Sequence, residues 1–239
     1  MERHAFAMKI KEGQMNEYRK RLGEIWPELT SYLDRSGISN YSIWNAENLI
    51  FGYYEKGNTD QAELEGKAAE GDQAELDEKA AEVDPVESEE KAVKANLIRK
   101  MEDTFTWIST PDEDMRLMYQ DFGVVRKSKE LIRHRMFMTK LKPACEEEYK
   151  RRHDGLIEAR GGAITQGPDS NFSIWSAGGY IFGYDEIDTT MEKEETEADR
   201  ESTIAWETRQ LEIMDWITND VDWMTGEHHA MSRRIAWHN

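Results

Sequence analysis

Tyr149 and His153 stand four residues apart, so on a helix their side chains lie on one face. Histidine titrates near neutrality, and a tyrosine beside it can hold or relay a hydroxyl proton. Such a pair can move protons without a metal. The chain has no glycine-rich phosphate loop, no Cys/His metal spacing and no Gly-x-Ser-x-Gly nucleophile turn. His228-His229 follows Trp223-Met-Thr-Gly226 with no second ligand cluster, and reads as an exposed turn. Cys145 precedes Glu146-Glu-Glu148, acids that disfavour a thiolate. Neither a metal nor a cofactor is expected.

The stretch that carries His153 is a second copy of an earlier one. Residues 3–55 align with 134–186 without a gap, and 17 of 53 positions are identical. Phe6-Ala-Met-Lys9 answers Phe137-Met-Thr-Lys140, Asn40-Tyr-Ser-Ile-Trp44 answers Asn171-Phe-Ser-Ile-Trp175, and Ile50-Phe-Gly-Tyr53 answers Ile181-Phe-Gly-Tyr184. Tyr18 matches Tyr149, but Leu22 stands opposite His153.

Each copy must position these residues with strand, helix, strand, strand, helix, strand. Ala5–Ile10 and Met136–Leu141 are short apolar runs and read as strands. Tyr18, Leu22, Ile25, Leu29 and Leu33 recur at helical spacing, with a restart expected at Pro27. A hairpin follows in each copy, turning at 45–48 and at 176–179. Trp44 and Trp175 on these strands face opposite to Tyr41 and Phe172, which makes them core residues. Leu97–Trp107 and Trp206–Trp216 read as amphipathic helices, and last strands are expected near 116–122 and 232–238. That order is the split βαβ unit of ferredoxin-like folds. The expected class is α+β, two such units fused in one chain with their antiparallel sheets packed as a pseudo-dimeric barrel. The first repeat takes residues 1–123, a linker 124–131, and the second repeat 132–239.

Residues 56–95 interrupt the first repeat with 13 acids against 5 lysines. Within them, Asp60-Gln-Ala-Glu-Leu recurs as Asp72-Gln-Ala-Glu-Leu. So few apolar side chains anchor nothing, and a solvated insertion is expected. The net charge of -18 argues against nucleic acid or an anionic membrane as partner, leaving a neutral small molecule unaffected. A single cysteine and the lack of a signal-like or membrane-length apolar run suggest a soluble cytoplasmic protein.

Arg3-His-Ala-Phe6-Ala-Met8, Glu17-Tyr18-Arg-Lys-Arg21, Ile25-Trp-Pro-Glu-Leu29 and Gly37-Ile-Ser-Asn-Tyr41 follow one known pattern in order and spacing. The first copy resembles the L-rhamnose mutarotases, and the second is similar to them more weakly. The resemblance implies a dimeric α+β barrel, closed here within one chain, and an isomerase that exchanges sugar anomers by acid/base ring opening. It implies a helix tyrosine that binds sugar, a following histidine that acts as general acid, and a strand tyrosine and tryptophan pair that line the pocket. Carried over, the second copy supplies Tyr149, His153, Phe172 and Trp216, with Asp215 where the other tryptophan would stand. The first supplies Tyr18, Tyr41 and Trp107, with Leu22 and Thr106 as departures.

The leading expectation is therefore a mutarotase of L-rhamnose or a related 6-deoxyhexose, active in the second repeat. Its pocket is expected around His153, near Phe172 and Trp216, with the matching space beside Tyr18 and Leu22 in the first repeat drier or filled. A non-catalytic sugar-binding or regulatory protein is the alternative. The haem-degrading and monooxygenase chemistry of related barrels would borrow the fold alone.

Overall fold

The structure is a computed structural model that describes residues 1–57, 85–126, 129–194, 196–218 and 232–239. The Asp60 and Asp72 repeats and His228-His229 lie outside the described residues. The first copy runs β1 (Glu2–Ile10), α1 (Met15–Arg35), β2 (Ile38–Ala46), β3 (Leu49–Lys56), α2 (Pro85–Arg99), β4 (Phe105–Trp107) and β5 (Arg116–Asp121). The second runs β6 (Ile132–Leu141), α3 (Glu146–Arg160), β7 (Asp169–Ala177), β8 (Tyr180–Asp188), α4 (Glu197–Gln210), β9 (Met214–Thr218) and β10 (Arg233–His238). Gly178 and Gly179 turn the β7–β8 hairpin with φ of 57° and 79°, the positive values a two-residue hairpin turn demands.

Three sequence expectations change. Helix α1 runs unbroken through Pro27, where the loss of one backbone bond is outweighed by burial of Ile25, Leu29 and Leu33 on one face. The helices expected over 97–107 and 206–216 end at Arg99 and Gln210. Phe105-Thr-Trp107 and Met214–Thr218 instead pair along the edges of β1 and β6, where β-branched and aromatic side chains suit an extended chain.

The two sheets run β10-β2-β3-β1-β4 and β5-β7-β8-β6-β9. Each therefore takes its far strand from the other repeat: Arg233 pairs with Asn45, and Arg116 with Ser176. The sheets pack face to face over one core, with Phe51 stacked on Phe182 at 5.0 Å and Tyr53 on Tyr184 at 3.9 Å between ring centroids. Each such pair adds about 0.5–1.5 kcal/mol beyond its buried area. Helix α1 covers the outer face of the first sheet and α3 that of the second, giving four layers.

A polar knot closes one end of that core. β2 and β7 each gain an extra residue, at Asn40 (φ 48°) and Asn171 (φ 55°). Asn40 Nδ2 donates to Glu55 at 3.0 Å and to Glu186 at 2.7 Å, and Asn171 reaches the same two carboxylates. Tyr53 and Tyr184 donate to the glutamate of their own repeat, and Lys129 pairs with Glu186 at 2.5 Å. Burial opposes the charge on Glu186, but Lys129, Asn171 and His134 outweigh it and hold its pKa below the usual carboxylate value.

Candidate functional site

In the first repeat, a cavity of about 440 Å³ opens between α1, α2 and the outer face of the sheet. Its size falls in the ~300–1,000 Å³ range of small-molecule sites. Tyr18, Tyr41 and Trp107 all line it, as do Leu22, Phe6, Tyr54 and Phe105. The rings meet around it: Phe6 with Tyr41 at 6.4 Å, Phe6 with Trp107 at 6.2 Å, and Tyr41 with Tyr54 at 6.1 Å. Phe6 can lie flat across the sheet because its cross-strand partner is Gly52, where a Cβ would sit 2.0 Å from the ring. Burial pushes the phenols of Tyr18 and Tyr41 above their ordinary pKa. The mouth is charged, carrying Glu2, His4, Lys56 and Asp114, with Lys94 paired to Asp112 at 2.6 Å.

In the second repeat, Tyr149 and His153 do share a face of α3, their rings stacked at 4.2 Å. The His153 Nδ1–H donates to the Tyr149 carbonyl at 2.9 Å, which leaves the lone pair of the neutral ring on Nε2. His153 is 4% exposed, and burial drives its pKa down to about 4 despite that bond. At neutral pH it therefore presents a proton acceptor rather than a donor. Trp206 and Tyr119 meet it edge-on at 5.3 and 5.5 Å. Phe172 touches Tyr119 at 5.5 Å and Phe137 at 6.3 Å. Trp216 packs on Phe137 at 5.8 Å, and its Nε1 donates to Glu207 at 3.0 Å.

The space beside Tyr18 and Leu22, expected to be drier or filled, is instead an open chamber. Tyr119 sits on β5, the strand lent by the first repeat, opposite Ile174. At the matching register β10 places Ala236 opposite Ile43. A methyl stands where the second repeat has a phenol, and Leu22 where it has an imidazole. The ring that closes over His153 has no counterpart in the first repeat.

The family model for L-rhamnose mutarotase matches residues 3–107 and again residues 134–235. The chain belongs to the L-rhamnose mutarotase family. An L-rhamnose mutarotase of Mesorhizobium japonicum is 46% identical over 66 residues, 26% of this chain and 63% of that protein. One from Bacteroides thetaiotaomicron is 42% identical over 71 residues, 27% of this chain and 68% of its own length. The crystal structure of an L-rhamnose mutarotase from Formosa agariphila is 38% identical over 25% of this chain and 62% of that one, with a TM-score of 0.23. Several of these curated relatives are matched over only half to two thirds of their length.

Tyr18, Tyr41 and Trp107, which the family resemblance carries over to the first repeat, all line one cavity. The sequence reading missed Tyr119, His4 and Asp114, and it missed the buried knot. Glu55 was readable, because Phe51, Tyr53 and Glu55 alternate onto the same inward face and Glu186 repeats the pattern. Among the described residues no group of His, Cys, Asp and Glu is arranged to hold a metal ion, and no helix is long and apolar enough to cross a membrane.

Proposed function

We propose that the chain is a sugar mutarotase that exchanges the anomers of L-rhamnose or a related 6-deoxyhexose. The observation that carries this reading is the aromatic chamber of the first repeat, lined by Tyr18, Tyr41 and Trp107, the residues that the family resemblance carries over as sugar-binding. Aromatic faces suit the C–H face of a deoxysugar, and the charged mouth suits its hydroxyls. A neutral sugar is not repelled by the net charge of -18.

In the second repeat, His153 is the proposed proton carrier, with Tyr149, Phe172 and Trp216 as its sugar-facing neighbours. Support comes from its fixed tautomer and its place beside Tyr149 on the family's helix. A free Nε2 lone pair takes the anomeric hydroxyl proton as the ring opens and returns it on closure. Sugar reaches it when the Tyr119 or Trp206 ring swings aside. Soluble, single-chain action as a pseudo-dimer fits this reading.

Saturation-transfer NMR on a panel of reducing sugars measures anomeric exchange directly. Catalysed exchange of a 6-deoxyhexose is expected, and His153→Gln should slow the second repeat's share by about 10²–10⁴-fold, the scale of a positioned proton carrier. No acceleration of any sugar by the wild-type chain would refute the mutarotase reading.

A further inference from the structure

We infer that the first repeat's chamber is itself catalytic, with a His4–Asp114 pair at its mouth moving the proton that Leu22 cannot. This rests on the mutarotase reading and deepens it. His4 lines the chamber, and its Nδ1–H donates to the Asp114 carboxylate, at 2.9 and 3.0 Å from the two oxygens. That bond fixes the imidazole and leaves Nε2 as the nitrogen that exchanges a proton with substrate. Nε2 is buried and has no hydrogen-bond partner among the described residues, the nearest charge being Glu2 at 3.8 Å. A buried, unpaired ring nitrogen on a cavity-lining residue is costly unless something hydrogen-bonds to it, and the hydroxyl of a bound sugar would supply that bond.

The surrounding structure holds the ring in one pose. His4 stacks on Tyr54, its cross-strand neighbour, at 4.7 Å and 17°. Asp114 lies on the segment that carries the chain from β4 to the borrowed strand β5, and the Met115 N–H ties that segment to the Ala5 carbonyl at 3.2 Å. The strand exchange itself thus delivers the carboxylate. Among the described residues of the second repeat, the positions of His4 and Tyr54 are taken by Arg135 and Asp185, joined by an ion pair at 2.9 Å.

In the reaction, Nε2 of His4 takes the proton of the anomeric hydroxyl while the C1–O5 bond breaks. C1–O1 becomes the aldehyde carbonyl, and O5 gains a proton from solvent water at the mouth. After rotation about C1–C2, O5 attacks the other face of the carbonyl and gives its proton back to water. His4 then returns the proton to O1. No atom or electron is gained or lost.

The test compares exchange rates of the wild type, His153→Gln, His4→Gln and the double variant, with folding checked by circular dichroism. His153→Gln is expected to keep a residual catalysed rate, and adding His4→Gln should lower that residue by about 10²–10⁴-fold. Asp114→Asn, at a half-exposed side chain, serves as a second probe if His4→Gln fails to fold. It should lower the turnover rate of the His153→Gln chain by a much larger factor than it weakens sugar binding, read from tryptophan fluorescence. If His153→Gln alone abolishes exchange, or if neither His4→Gln nor Asp114→Asn slows it, this inference falls and the mutarotase reading stands. If the wild type exchanges no sugar, both fall.

Discussion

Replacing His153 with leucine, the residue the first repeat already carries at Leu22, should change how the fold responds to acid. In the folded chain burial lowers the His153 pKa from 6.5 to about 4. An unfolded chain binds a proton on this ring below about pH 6.5, and the folded chain does not until about pH 4. Across that window the unfolded state holds more protons, so stability rises with pH and is lost on acidification. At about 1.36 kcal/mol per unit, the full shift corresponds to about 3 kcal/mol, of which about 2 kcal/mol is lost between pH 7.5 and pH 5. His153→Leu removes this term, while the acid response of His134 and of the carboxylates is common to both proteins and cancels. Urea titrations at pH 7.5 and pH 5 should show the variant gaining about 2 kcal/mol relative to wild type at the lower pH. A stability difference that stays constant across the two pH values would refute the claim that His153 is held buried and neutral.

Tyr119→Ala should cost about 3 kcal/mol in thermal or chemical unfolding, as large-to-small changes do in a core, and should raise the His153-dependent exchange rate by uncovering that ring. Leu22→His restores a histidine beside Tyr18 in the open chamber, and in the His153→Gln background should raise exchange by up to about 10²-fold. Gly52→Ala forces the Phe6 ring off the sheet, so a loss of about 1–3 kcal/mol and a raised KM are expected.

Tyr18, Tyr41 and Trp107 were singled out by the family resemblance alone, whereas the duplication and the paired strand–helix–hairpin cores were legible because local spacing encodes them. Strands β4 and β9 were not, since three to five residues with apolar side chains at mixed spacing fit a helix's last turn equally well. Nor was it legible that the first repeat keeps an open chamber. That depends on Tyr119 against Ala236, side chains brought to each site by a strand from the other half of the chain. No periodicity within β5 or β10 says which sheet it joins. The His4–Asp114 pair was hidden for the same reason: its two members lie on β1 and on the crossover to β5, and only the exchange sets them side by side.

That exchange also has a bearing on how the chain is made. Sheet one stays incomplete while the ribosome is still working through the second repeat, because Arg233 must find Asn45. Until then the outer edge of β2 offers open backbone groups to any passing strand, a hazard that grows with protein concentration. Contacts between such distant positions also slow folding. Cutting the chain within residues 124–131 would give two halves, each with a strand that belongs to the other. Mixed, they should find each other and reassemble; apart, each carries a sheet with one edge strand missing.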